Sequence, residues 1–444
     1  MKHRNFFQLF LFGFVLIFFA SCVKEGPMGP EGPAGADGTD GVDGKDANET
    51  CIICHAPGVV DKIAVEFQLS KHEYGLAAEE EAGNATCAPC HEQEGFKYVV
   101  ENNIKSDFIL GSNGKYTNGY VATAGTSYGK LLCATCHSSI HKTYASSDLP
   151  ALTTTAPVAL TMWGGKKTVN LAADNGMSNL CVKCHQPRPQ TNLQTGNAQD
   201  YAAIAANPKA MAWDAENPTA TTNIIRPSYR MHLHYGTVGA VYAGVGGVEF
   251  AGTLQYTSSA HASVASCADC HMGAGVVGAA GGHTFKAKGN LTTCNTAGCH
   301  QSEITSTNTT YWVNPRAEIK GLLETLAGKL VVNGVEILNQ SDDQEANLWY
   351  ALTSKHYDGY LNVYDPSLNP GGNANETGPF QNPAPASSWT QAQKDFNKTL
   401  PKLSLTNAQY GAILNFQMGL REYSLGIHNF SYTKALLTNS IAVL

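Results

Sequence analysis

After Asn314-Pro315, the apolar residues Ile319, Leu322, Leu323, Leu326 and Leu330 recur three and four positions apart. That spacing predicts an amphipathic helix with Asn314 as cap and Pro315 in its first turn. Helical periodicity returns over 343–354, 390–400, 406–422 and 431–440, so residues 304–444 read as a helical cap. Residues 48–303 sustain no such period, and helices are expected there only as short pieces. The segment 236–282 is rich in glycine (Gly244, Gly246, Gly247, Gly273, Gly275, Gly281, Gly282), which suits close approach of backbone to a flat group. The expected fold is mainly α with much irregular structure.

The N-terminus carries a different pattern. Lys2 and Arg4 precede an apolar stretch, Phe6 to Ala20, of signal-peptide length and too short to span a bilayer comfortably. It ends in Phe19-Ala20-Ser21-Cys22, which resembles a bacterial lipobox and makes Cys22 the expected lipidation site, with 1–21 removed. Val23 is not the aspartate of an inner-membrane retention signal, so the expected address is the outer membrane, facing the periplasm or the cell surface. Within 22–47, glycine recurs at 26, 29, 32, 35, 38, 41 and 44, with proline at 27, 30 and 33. This collagen-like Gly-x-y pattern has two readings. Three chains wind into a homotrimer, or the stretch is an extended acidic tether.

Cysteine placement carries the chemistry. Five stretches read C-x-x-C-H: Cys51/Cys54/His55, Cys87/Cys90/His91, Cys133/Cys136/His137, Cys181/Cys184/His185 and Cys267/Cys270/His271. Cys294/Cys299/His300 is the same signature with four residues between the thiols. Two thiols can add to the two vinyl groups of one haem, leaving the next histidine under the iron. Zinc sites and redox dithiols also use paired cysteines, but neither needs a histidine directly after each pair. Of 13 cysteines, the six signatures take all but Cys22, which leaves no pair for a disulfide. Six haem c groups are therefore the expected cofactors.

The chain has 15 histidines. His3 goes with the leader and six follow the signatures. Candidates for the far side of each iron are His72, His141, His234, His261, His283, His356 and His428, with His234 preferred over His232 because Tyr235-Gly236 follows it. On a helix His141 would share a face with His137 and so serve a neighbouring iron. Six irons with two imidazoles each would be closed to small ligands, which suits a conductor of electrons rather than a catalyst. The net charge of −7, and roughly twelve more negative charges from haem propionates, exclude nucleic acid as a natural partner. Residues 304–444 hold no nucleophile–base arrangement, phosphate loop or metal cluster.

These signatures resemble those of bacterial multihaem c-type cytochromes. The stretch Ser259-Ala260-His261-Ala262-Ser263-Val264 with Cys267-Ala268-Asp269-Cys270-His271-Met272 resembles penta- and octahaem nitrite reductase and hydroxylamine oxidoreductase relatives. Gly426-Ile427-His428-Asn429 is similar to a C-terminal distal-ligand motif of such proteins. The pentahaem nitrite reductases carry C-x-x-C-K at the catalytic haem, and this chain has none. Haem density also resembles that of filament-forming extracellular cytochromes. The resemblance implies electron transfer with other cytochromes or redox proteins. A reductase of nitrogen or sulfur oxyanions and a filament subunit are the alternatives.

Overall fold

The computed structural model describes residues 54–444 except 76–80, 111–115, 123–128, 139–140, 143–147, 165, 188–199, 229–230, 232, 275–279, 296–297, 341–356 and 364–400. Cys22, the Gly-x-y triplets, Cys51, His232, His356 and the helical patterns at 343–354 and 390–400 lie outside the described residues. Two compact units divide the chain, Met1–Pro57 and Gly58–Leu444. Cys54 and His55 belong to the first and are exposed. The elements and contacts below all belong to the second.

Short helices joined by irregular chain dominate, with a few antiparallel ribbons of two short strands. One ribbon pairs Met211–Trp213 with Leu405–Thr406, Leu405 opposite Trp213, and so ties the middle of the chain to its C-terminal part. Among the described residues no helix is long and apolar enough to cross a membrane.

The longest helices are C-terminal. Asn314–Lys329 begins one turn later than the winding itself. A wide π-helical turn, Thr309–Val313, precedes it, and Asn314 is already helical at φ −66°. Asn308 does the capping, its Oδ1 accepting from Tyr311 N at 2.7 Å, so the cap expected at Asn314 is displaced by six residues. Thr406 and Gln409 form a reciprocal capping box that starts Asn407–Arg421. Asn429 caps Phe430–Val443 by accepting from Tyr432 N.

Asn407–Arg421 is buried on nearly every face. Such a helix belongs at the centre of a fold. Its Tyr410 and Phe416 join Ile319 and Leu323 of the preceding long helix, Leu437 of the C-terminal one, and Leu160, Ile225, Leu233 and Phe250 from the middle of the chain. The C-terminal helices therefore share one core with 158–250. Inside that core, Asn415 accepts from Val248 N (2.8 Å) and donates to Val248 O (2.7 Å) and Ser440 Oγ (2.9 Å), satisfying backbone that has no strand partner.

In the glycine-rich segment, a Cβ on Gly247 would stand 2.4 Å from Leu436 Cδ2, and one on Gly244 would stand 2.2 Å from Ser258 Oγ. These two glycines admit close approach of neighbouring protein. Gly247→Ala should lose about 1–3 kcal/mol in a denaturant titration through overpacking. Gly321→Ala, with open space around it in a helix, should gain roughly 0.5–1 kcal/mol.

Candidate functional site

The signatures fold alike. Ala88–His91, Cys133–Cys136, Met177–Cys184 and Cys267–His271 are single helical turns or slightly longer helices. Cysteines three apart on a turn lie on one face, which presents both thiols to one group. In three of them the histidine amide closes the turn on the first cysteine's carbonyl: His91 to Cys87 at 3.1 Å, His137 to Cys133 at 2.9 Å and His185 to Cys181 at 2.9 Å. The longer signature keeps that bond, His300 N to Cys294 O at 3.2 Å. Between its cysteines the backbone at Gly298 has φ +87°, a position that favours glycine. No disulfide joins the described cysteines.

Each of the five described signatures in the second unit faces a histidine from elsewhere. Ring centroids are 6.0 Å apart for His185 and His72, 6.0 Å for His91 and His234, 6.2 Å for His137 and His283, 6.2 Å for His271 and His428, and 6.1 Å for His300 and His261. A metal-bound imidazole nitrogen stands about 2.0 Å from its ion, so two imidazoles sharing one ion have centres roughly 6 Å apart. The donor set and spacing fit a haem iron with two axial histidines. Among the described residues, no three His, Cys, Asp or Glu side chains gather as a metal cage; these histidines come in twos.

Hydrogen bonds fix which nitrogen faces the partner ring. The Nδ1 atoms of His137, His261 and His271 lie 2.6, 3.0 and 3.0 Å from the carbonyls of Pro150, Ile427 and Phe285. A carbonyl only accepts, so Nδ1 carries the proton and Nε2 keeps its lone pair. His428 Nδ1 instead donates to the Glu422 carboxylate at 2.6 Å. Burial lowers the pKa of His72, His271 and His283, and that of His185 to about 3, holding these rings in the neutral form that binds metals. Burial alone would push the Glu422 carboxyl up. The hydrogen bonds from His428, Ser424 and Gly426 hold it below the usual carboxylate range.

The ring facing His137 is that of His283. The helical turn stops at Cys136, and His137 is extended and bridged to Leu152, so the helix imagined through 137–141 does not form. His141 Nδ1 donates to Asp148 O at 3.1 Å.

The C-terminal segment organises three of the five far-side histidines. It supplies His428, and its Ile427 carbonyl orients His261. It also brackets His234: Arg421 donates to Leu233 O and lies 4.0 Å over the Tyr235 ring, while Gln417 accepts from Leu233 N. Asn429 ties the pieces together, accepting from Ser259 N (2.9 Å) and donating to Tyr242 O (3.1 Å). Tyr242 OH in turn donates to the carbonyls of His261 and Ala265. Gln417, Arg421 and Glu422 carry no mark in the sequence, because nothing local singles out a helix residue as support for a histidine elsewhere.

The signatures also touch one another. Cys90 Sγ lies 3.8 Å from Lys183 O, and Cys184 Sγ lies 4.0 Å from Pro89 O. Cys181 and Cys267 hydrogen-bond to each other, and Cys267 N donates to Ser178 Oγ at 3.0 Å. Thr293, beside Cys294, reaches Cys270 O at 3.5 Å. The row therefore runs 87–91, 181–185, 267–271, 294–300, with Cys136 of the remaining signature close enough to Cys181 and Cys184 to act on them electrostatically.

Asn429→Ala should cost about 3 kcal/mol in chemical denaturation, because it orphans buried backbone groups of the His261 segment. A loss under about 0.5 kcal/mol would contradict that tie. Comparison with protein-family models, with curated proteins and with solved structures finds no match for this chain.

Proposed function

We propose that this chain is an electron-transfer protein carrying six covalently attached haems c, held at the outer membrane or cell surface by a lipid on Cys22. The observation that carries the reading is the set of five facing histidine pairs. Each pair joins a signature histidine to one far away in sequence, at the spacing two axial ligands need. When bound, the haem irons supply the one-electron redox couple.

The protein's own part is threefold. Cys87 and Cys90, Cys133 and Cys136, Cys181 and Cys184, Cys267 and Cys270, and Cys294 and Cys299 anchor the porphyrins; Cys51 and Cys54 belong to the sixth. His91/His234, His137/His283, His185/His72, His271/His428 and His300/His261 close both iron faces, which bars small ligands and keeps reorganisation small. Cysteines of neighbouring signatures lie close together, so haems held by them would be near enough for electrons to hop along the row and to reach the 133–137 site from its middle. Partners are other cytochromes or redox proteins at the ends of that array.

Intact mass of the purified mature protein should exceed the polypeptide by six haems. A colourless product would end the proposal. Carbon monoxide added to the reduced protein should leave the spectra of the five paired haems unchanged, and His72→Ala should create one new CO-binding haem. CO binding to one of these paired haems in the unaltered protein would favour a reductase of a nitrogen or sulfur oxyanion with one five-coordinate haem instead.

A further inference from the structure

The His428 ring has a carboxylate within hydrogen-bond reach of its Nδ1, whereas His283 Nδ1 stands 4.0 Å from Glu66 Oε2, beyond that reach. His137, His261 and His271 give Nδ1–H to neutral backbone carbonyls. His428 gives it to a carboxylate, Glu422 Oε2, at 2.6 Å. Glu422 is fully buried. Its cradle is built from Ser424 N (3.1 Å), Ser424 Oγ (2.6 Å) and Gly426 N (2.8 Å), all donating to it. Ser424 Oγ also accepts from His428 N at 3.0 Å, so cradle and ligand form one closed loop. Arg316 is the neighbouring cation; it acts on Glu422 electrostatically and donates to Ser424 O at 3.4 Å.

A full negative charge accepting from one imidazole nitrogen pushes electron density onto the other. An iron bound there is then stabilised in its oxidised state, because axial-ligand basicity and nearby charge set the potential. We propose, resting on haem as the occupant of the His271/His428 pair, that Glu422 is a positioning residue that gives His428 imidazolate character. It makes the haem anchored by Cys267 and Cys270 lower in potential than that of the His300/His261 pair, whose far-side His261 bonds to a carbonyl. That haem stands third in the row, between the 181–185 and 294–300 sites. An electron does not rest there but passes to one neighbour or the other, so the site divides the row into two segments and sets the rate of exchange between them.

The test uses the full haem-loaded protein, with redox titration followed by visible spectra and by electron paramagnetic resonance of the low-spin signals. Glu422→Gln removes the charge and keeps the shape. It should shift the oxidised-to-reduced ratio of a single haem roughly tenfold toward reduced, equivalent to about 59 mV for one electron. Glu422→Asp should stay near the parent. Ser424→Ala strips a donor from the carboxylate, strengthens its hold on His428, and should move the same haem the opposite way. This last variant keeps the test decisive if Glu422→Gln does not fold. Six haems present with no single potential moved by either Glu422→Gln or Ser424→Ala would overturn the role of Glu422 and leave electron transfer standing. Absence of haem would sink the electron-transfer proposal instead.

Discussion

Two imidazoles facing each other across about 6 Å, one beside a cysteine pair and one from a distant stretch of chain, are the contact on which the rest of this architecture depends. A neutral imidazole is a poor thing to bury unless its polar nitrogens are answered. At His137, His261, His271 and His428 the structure answers one of them at Nδ1, with the carbonyl of Pro150, Ile427 or Phe285, or with Glu422. Nε2 is left for the shared partner. On the proposed reading that partner is iron, and each pair acts as a crosslink between segments that share little direct secondary structure. This accounts for a mainly helical fold whose middle is built of short helical turns and strands of two or three residues.

The C-terminal helices supply the rigidity that those turns lack. Asn407–Arg421 runs through the core, and Asn415 satisfies the backbone of Val248, which no strand accompanies. The helix ends in Arg421 and Glu422, whose neighbours are the His234 and His428 segments. Asn429 then fixes the Ser259 stretch, and through Tyr242 the turn that carries His261. Packing of an apolar core in this way holds rings at fixed separation. Opposite charges on the consecutive buried residues Arg421 and Glu422 also place different fields beside the His91/His234 and His271/His428 pairs.

Local chemistry was readable because it depends on neighbours in sequence. The Cys-x-x-Cys-His spacing fits one helical turn, and the longer Cys294–Cys299 version still closes His300 onto Cys294 because Gly298 accepts a left-handed backbone. The helices near 406–422 and 431–440 were readable from apolar spacing. The cap at Asn308 was not, since a π-helical turn breaks the usual period. The glycines at 244 and 247 were readable as close approaches, but not what approaches them.

The sequence by itself determined which residue types are present and how many: paired thiols, a histidine after each pair, and a surplus of histidines nearly matched to them. Tertiary structure alone decided the pairing. His261 lies six residues before Cys267 yet faces His300, and His271 faces His428 from the far end of the chain. Imidazoles carry no code for their partners. Which two meet is set by the core helices and by Ile427, Glu422 and Asn429, residues whose roles exist only once the chain is packed.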